Sequence, residues 1–176
     1  MRAVLVVTAA LLLAEAPPGR LEVTAENVDT VYKGFDRLTA EPLQVSAWIS
    51  TLCMPPTRDH LAQERERAGP HAQALVHLYS HGVGTAVFAA SERQFPVGTI
   101  VVKEKLAPDL TATGVGGMQK MEPGYDPEGG DWLYFYSSPT SGFTSGRLEN
   151  CRSCHLRAKE SDFVYFVDSH DSRQAR

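Results

Sequence analysis

The stretch T-I-V-V-K-E-K-L, residues 99–106, is the clearest structural signal in the chain. Its first half is rich in β-branched residues, and a proline and a glycine precede it, as is typical of a strand entered from a turn. Because side chains alternate across a strand, this one has two faces. One face carries Ile100, Val102, Glu104 and Leu106, and the other carries Val101, Lys103 and Lys105.

Segments of similar character lie on both sides of this strand. Further strands are predicted at residues 74–80 (A-L-V-H-L-Y-S), 114–121 and 132–136 (W-L-Y-F-Y). Short helices are predicted before Gly34 and at residues 57–68. The segments 123–131 and 137–146 are rich in turn-forming residues and are predicted to be connections. The fold class that follows is α+β, with a mainly antiparallel β-sheet and a few short helices.

The composition describes one ordinary globular domain. The 176 residues are 43% hydrophobic and 22% charged, with 17 basic and 21 acidic side chains and a formal net charge of −4. Phosphate binding needs a surplus or a stripe of basic residues, and neither is visible, so no nucleic-acid partner is expected. Three cysteines are too few for a fold that is held together by disulfides.

The first residues have the pattern of a secretory signal peptide. Arg2 is followed by the apolar run A-V-L-V-V-T-A-A-L-L-L-A and by A-E-A, which is typical of a cleavage site. The alternative is a buried N-terminal helix. The run is shorter than the ~20 residues that cross a bilayer, and no membrane span is expected. We predict a signal peptide at residues 1–16, a single domain at residues 17–176, and a periplasmic or otherwise exported protein.

Residues 151–155 read C-R-S-C-H, which is the attachment sequence of a c-type haem. Cysteines three positions apart point the same way on one helical turn, so both sulfurs can form thioether bonds to one porphyrin. We therefore predict one covalent haem c, with its iron. Cys151 and Cys154 would hold the ring, and His155 would be the proximal ligand of the iron.

Two other interpretations of these cysteines stay open. A structural zinc site needs four ligands, and outside the motif the chain offers only Cys53 and scattered histidines. A thioredoxin-like redox pair needs its C-x-x-C early, after the first strand of a βαβ unit, whereas only 22 residues follow Cys154.

The sixth coordination position of a haem iron decides between electron transfer, gas binding and catalysis. The residues that could in principle reach it are Met54, Met118, Met121, His60, His71, His77, His81 and His170. No pattern identifies any of them as a ligand. His77 shares a strand face with Leu75 and Tyr79, which favours an ordinary core histidine.

Four segments resemble the cytochrome P-460 family, over about residues 70–167. They are F-P-V-G-T-I-V-V-K-E-K-L (95–106), P-G-Y-D-P-E-G-G-D-W (123–132), S-G-R-L-E-N-C-R-S-C-H (145–155) and D-F-V-Y (162–165). That family, which includes the cytochromes c′-beta, has an antiparallel β-sheet fold, usually as a homodimer, with a five-coordinate haem next to the sheet. The resemblance implies the same roles for Cys151, Cys154 and His155, with a small nitrogen compound or a diatomic gas as ligand.

Lys103 distinguishes two branches of this family. In cytochromes P-460 proper, a lysine at the matching place is bonded to the porphyrin, and this haem oxidises hydroxylamine and passes electrons to a soluble acceptor. The resemblance therefore implies Lys103 as a catalytic residue. The alternatives are a cytochrome c′-beta-like protein without the bond, which binds nitric oxide or carbon monoxide, and an electron-transfer cytochrome.

Both branches need further residues on the open side of the iron. An apolar pocket could be supplied by Phe88, Phe95 or Phe135. Hydroxylamine oxidation also needs a proton acceptor, and the candidates are Glu149, Asp126, Glu128 and Asp131. Glu104 is expected on the face opposite to Lys103.

Overall fold

A seven-stranded antiparallel sheet forms most of the structure. The computed structural model describes residues 21–46, 73–89 and 94–165. The strands are β1 (Asp36–Arg37), β2 (Leu43–Ser46), β3 (Gln73–His81), β4 (Ile100–Leu106), β5 (Ala112–Lys120), β6 (Trp132–Ser138) and β7 (Gly142–Gly146). Their order is β1-β3-β4-β5-β6-β7, and β2 pairs with another part of β3. The predicted mainly antiparallel α+β class is confirmed.

The helices are few and short. Two α-helices, α1 (Thr85–Ala89) and α2 (Glu149–His155), are accompanied by 3₁₀ helices at Val31–Gly34, Pro127–Gly129 and Leu156–Ser161. The helix predicted before Gly34 is present as the first of these 3₁₀ helices. The predicted signal peptide and the helix predicted at residues 57–68 lie outside the described residues. Within the described ranges, no helix is long and apolar enough to cross a membrane.

One connection predicted from the sequence is wrong. The segment at residues 137–146 is a hairpin that completes β6 and adds the edge strand β7. Its polar turn is closed by Ser138, whose hydroxyl group exchanges hydrogen bonds with Thr140 and Ser141. Gly142 follows with a φ of 67°, which is costly for any residue with a side chain. The turn signal is therefore real, but the residues after it pair with β6.

The two faces of the sheet pack against different parts of the chain. On what we call the N-terminal face, β4, β5 and β6 contact the segment before β1, through Val23, Val28, Tyr32, Ile100, Val102, Val115 and Phe135. On what we call the helix face, the core consists of Phe88, Phe95, Met118, Trp132, Tyr134, Phe163 and Val164, with Val101 and Cys151 against it. This second core joins the sheet to α2.

Strand β4 alternates as the sequence predicts. Ile100 and Val102 are fully buried on the N-terminal face, and burial of such side chains stabilises a fold by about 1.5–3 kcal/mol each. Glu104 is also buried there, where its carboxylate accepts hydrogen bonds from the hydroxyl groups of Tyr32 (2.6 Å) and Tyr79 (2.9 Å). The other face of the strand is half-buried.

Gly117 in β5 lets an aromatic ring lie directly on the sheet. A Cβ atom at this position would be 2.2 Å from Cζ of Phe135 and 2.6 Å from the carbonyl oxygen of Val101. The neighbouring Gly116 faces the other way, and a Cβ there would meet Tyr136 at an ordinary 3.5 Å. The two adjacent glycines therefore serve different faces of the sheet.

Candidate functional site

Helix α2 presents the C-R-S-C-H motif to the helix face of the sheet. Cys154 and His155 are buried, and the half-buried Cys151 packs against the core of that face. Neither of these two cysteines forms a disulfide with another described residue. Cysteines three positions apart lie on one side of a helix, as the motif predicts. The three predicted haem-binding residues thus lie on one short helix against one face.

His155 is held in a defined orientation. Its Nδ1 atom lies 2.6 Å from the carbonyl oxygen of Phe163. Its ring lies between Tyr134 and Tyr165, with centroid distances of 5.1 and 5.3 Å. A carbonyl oxygen can only accept, so Nδ1 carries the hydrogen, and in the neutral ring the lone pair is on Nε2. This is the tautomer that a metal-ligating histidine needs when it binds through Nε2.

The Phe163 carbonyl comes from an unusual turn. Asp162 and Phe163 have φ values of 50° and 64°, in the left-handed region that side-chain-bearing residues rarely adopt. The turn is anchored to the sheet, because Lys120 Nζ contacts both carboxylate oxygens of Asp162 at 2.6 and 2.8 Å. Trp132 Nε1 also donates to the carbonyl of Asp162 at 2.8 Å. The strands β5 and β6 therefore hold the turn that contacts His155.

A second attachment joins α2 to the loop before β6. Arg152, which lies between the two cysteines, donates hydrogen bonds to both carboxylate oxygens of Asp126 at 2.7 and 3.2 Å. This contact, outweighing the effect of burial, holds the pKa of the Asp126 carboxyl below its usual value. Asp131 accepts hydrogen bonds from the backbone N–H groups of Gly124 and Asp126 and so closes the loop.

These contacts bear on the predicted proton acceptors. Asp126 is ion-paired with Arg152, so its carboxylate is already used as a structural acceptor. Glu128 is 90% exposed and also contacts Arg152, at 3.3 Å. Glu149 is exposed in the first turn of α2. The structure gives Asp126 and Asp131 structural roles, and their loop is ordered around them.

Lys103 lies on the helix face, as the alternation predicts. It pairs with Leu78 of β3 on one side and Gly116 of β5 on the other. Gly116 in turn pairs with Tyr136. A Cβ atom at Gly116 would lie 3.5 Å from Cδ2 of Tyr136, so the Tyr136 ring is the neighbour of this glycine on the helix face. The lysine is half-buried, two residues along β4 from Val101, which packs in the same core as Cys151.

The sixth-ligand candidates are distributed over both faces. His77 and His81 pair with Glu104 and Ile100 and so lie on the N-terminal face, away from α2. Nδ1 of His77 is 2.9 Å from the hydroxyl oxygen of Thr39, and burial lowers its pKa. Met118 is buried in the core of the helix face, and Met121 is half-buried after β5. The remaining candidates lie outside the described residues; they are Met54, His60, His71 and His170. Cys53 also lies outside the described residues.

The phenylalanine candidates for an apolar pocket divide in the same way. Phe88 and Phe95 lie on the helix face, with ring centroids 5.3 Å apart, in the core that Cys151 joins. Phe135 is on the N-terminal face, where it covers Gly117. Phe135 is therefore on the face of the sheet opposite to Cys151, as its strand position directs.

Neither of the other interpretations of the motif gains support. Among the described residues, no group of three or more His, Cys, Asp or Glu side chains is placed to hold a metal ion, as a structural zinc site would require. The sheet pairings in the described ranges are all antiparallel, whereas a thioredoxin-like site follows a strand of a βαβ unit.

The residues that support His155 are not identified by the sequence patterns. None of those patterns assigns a role at the site to Lys120, Arg152, Trp132 or Asp162. The segment D-F-V-Y after the motif is the one signal of this support, because its first two residues form the turn that contacts His155.

Neither the models of known protein families nor the curated proteins give a match to this chain.

Proposed function

We propose that this chain is an exported mono-haem c-type cytochrome of the cytochrome P-460 type, which acts on small nitrogen species such as hydroxylamine or nitric oxide. The observation that carries the proposal is the 2.6 Å contact between His155 Nδ1 and the Phe163 carbonyl. This contact leaves Nε2 as the unprotonated nitrogen of a buried imidazole, immediately after two cysteine thiols with haem-attachment spacing.

The residues present fit a covalent haem. Each thiol of Cys151 and Cys154 would add across one vinyl group of the porphyrin, with sulfur bonding to carbon and the thiol hydrogen passing to the neighbouring carbon. His155 Nε2 would bind the iron, with a backbone acceptor for its other nitrogen, as metal-bound histidines generally have. When bound, the haem supplies an iron with an open coordination position and accepts or passes on electrons.

Lys103 would decide which reaction follows. Its place on the helix face, two residues from Val101, which packs in the same core as Cys151, supports a role near the haem. With Lys103 bonded to the porphyrin, the protein would oxidise hydroxylamine and reduce a soluble acceptor. Without that bond it would capture nitric oxide or carbon monoxide, as a cytochrome c′-beta does. A firm sixth ligand from the chain would instead make it an electron-transfer cytochrome.

The first experiment tests haem attachment. The full chain is expressed in a bacterium that exports and matures c-type cytochromes, and covalent haem is measured on a denaturing gel and by the pyridine haemochrome spectrum. We expect one haem per chain in the wild type and none attached covalently in the double variant Cys151→Ala, Cys154→Ala. Cys53→Ala is the matched control and should keep the haem. A wild-type protein that matures without covalent haem would refute the proposal.

The second experiment tests the reaction. If the protein is the hydroxylamine-oxidising form, peptide mass mapping of the purified holoprotein should find the Lys103 peptide joined to haem, and hydroxylamine oxidation should be lost in Lys103→Arg. Lys105→Arg, on the same face of β4, is the control and should retain both. An unmodified Lys103 peptide would exclude the hydroxylamine-oxidising form. A spectrum typical of His-Met or bis-His iron would instead identify an electron-transfer protein.

A further inference from the structure

We propose that Lys120 and Asp162 are positioning residues for His155, acting through the Asp162–Phe163 turn to set the strength of the hydrogen bond on Nδ1. The inference rests on the proposed function, since the property it sets is how strongly Nε2 of His155 donates electrons to iron. Neither residue contacts His155 itself. Their effect is transmitted by the backbone carbonyl of Phe163.

The turn needs an external anchor. Two consecutive non-glycine residues in the left-handed region are strained, and Phe163 lacks the short polar side chain that eases this conformation. Asp162 makes up for this cost through three contacts on its side chain and backbone. Its carboxylate accepts from Lys120 and from the backbone N–H of Phe95 at 2.9 Å, and its carbonyl accepts from Trp132.

The anchor is rigid because the sheet supplies it. Lys120 and Trp132 are directly paired residues of β5 and β6, and Lys120 Nζ lies 5.0 Å from the centre of the Trp132 ring. The side chains of Lys120 and Asp162 are only 14% and 13% exposed, so their attraction is screened less than that of a surface pair. On the other side of the turn, the Phe163 ring fills the space over Gly130, where a Cβ would be 2.2 Å from Cδ2.

The consequence for His155 is electronic as well as geometric. A short hydrogen bond from Nδ1 to a fixed acceptor gives the ring partial imidazolate character and makes Nε2 a stronger donor. A stronger donor stabilises the ferric state and strengthens the iron–nitrogen bond. If the turn relaxes, the Phe163 carbonyl moves away from Nδ1, so this bond should weaken and the reduction potential should rise.

The test uses two variants that release the anchor and two controls. Lys120→Met removes the cation, and Asp162→Asn removes the charge with a residue that tolerates the left-handed conformation. Resonance Raman spectra of the ferrous holoproteins should show a lower iron–histidine stretching frequency in both, with a higher midpoint potential. Lys120→Arg should restore values near those of the wild type. Lys33→Met, an exposed lysine in a 3₁₀ helix, should leave both values unchanged.

One further variant tests the same anchor at Asp162. If Asp162→Asn does not fold, Asp162→Gly removes the carboxylate with a residue that is unstrained in the left-handed region. Without the anchor to Lys120 the turn is free to move, and the same shifts are expected. Unchanged frequency and potential in correctly folded Lys120→Met and Asp162→Gly would overturn the inference.

If the proposed function itself is wrong, the result differs from the one that refutes the positioning role. In that case the wild type binds no haem, and the exchange rate of the His155 Nδ1 hydrogen, measured by NMR on the full chain, replaces the spectra. Faster exchange in Lys120→Met than in Lys33→Met would then still support the positioning role, and equal rates would refute it.

Discussion

Nε of Arg152 donates a hydrogen bond to Oδ2 of Asp126 over 2.7 Å, and this contact joins the helix that carries both cysteines to the loop before β6. Oδ1 of the same carboxylate lies 3.2 Å from Nη2 of the arginine. A two-point contact of this kind fixes direction as well as distance. It therefore restrains rotation of α2 about its own axis, on which the direction of the two thiols depends.

Asp126→Asn should loosen this attachment. The carboxylate is only 4% exposed, and hydrogen bonds to charged groups contribute about 1.5–3 kcal/mol. We expect the free energy of unfolding to fall by about 2 kcal/mol, measured by denaturant titration. Glu128→Gln is the matched control, because Glu128 is 90% exposed and surface pairs contribute about 0–1 kcal/mol. Equal losses in the two variants would show that the Asp126 contact is not the stronger one.

The same pair predicts how stability depends on acidity. The pKa of Asp126 is lowered in the folded protein, mainly by its hydrogen bond with Arg152. Its contribution is therefore present above the unfolded-state value of about 3.9 and is lost as pH falls through the folded value. The difference in melting temperature between wild type and Asp126→Asn should be constant near neutral pH and shrink below about pH 4. A constant difference throughout would contradict this assignment.

The adjacent glycines of β5 should respond differently to alanine. In Gly117→Ala the new methyl group meets the Phe135 ring and the Val101 carbonyl oxygen at 2.2 and 2.6 Å. Overpacking of this kind costs about 1–3 kcal/mol. In Gly116→Ala the methyl group meets Tyr136 at 3.5 Å and the Phe135 carbonyl oxygen at 3.9 Å, which are ordinary contacts. This variant should change the free energy of unfolding by less than about 0.5 kcal/mol. Thermal unfolding of the two variants, side by side, measures the difference, and equal stability would refute the packing at Gly117.

The phenol of Tyr79 should lose its proton only at high pH. Burial and its hydrogen bond to Glu104 raise the pKa of Tyr79 to about 12. The stability that this neutral phenol provides is present below the unfolded value of about 10 and is lost as pH rises towards the folded value. Difference absorbance titration of wild type against Tyr79→Phe isolates this residue, and Glu104→Gln should lower its pKa. A midpoint near 10 in the wild type would show that Tyr79 does not donate to Glu104.

Sequence reasoning predicts those parts of the fold whose signal is local. The period of two in β4 places Lys103 and Glu104 on opposite faces, and the structure agrees. Strand β7 is not predicted, because G-F-T-S-G has few residues that favour strands. It forms because it pairs with the edge of β6. The partner of such a strand lies elsewhere in the chain, which a window along the sequence does not contain.

The candidate site likewise consists of residues that are contiguous in the sequence and residues that only the fold brings together. Cys151, Cys154 and His155 form a contiguous motif, so their proximity is evident before any fold is known. Lys120 and Asp162 are 42 residues apart and meet only because β5 ends beside the turn after α2. An ordinary lysine and an ordinary aspartate carry no signal of that meeting, since their role comes from the sheet that brings them together.

The buried carboxylate of Glu104 also has a consequence for the alignment of β4. A slip of one residue would move Glu104 to the helix face, replace it with a lysine beneath Tyr32 and Tyr79, and bury a cation against two phenols. The two tyrosines thus disfavour a one-residue slip of this strand through the cost of desolvating that cation. The choice of the face on which Lys103 lies therefore depends on hydrogen bonds made on the opposite face of the sheet.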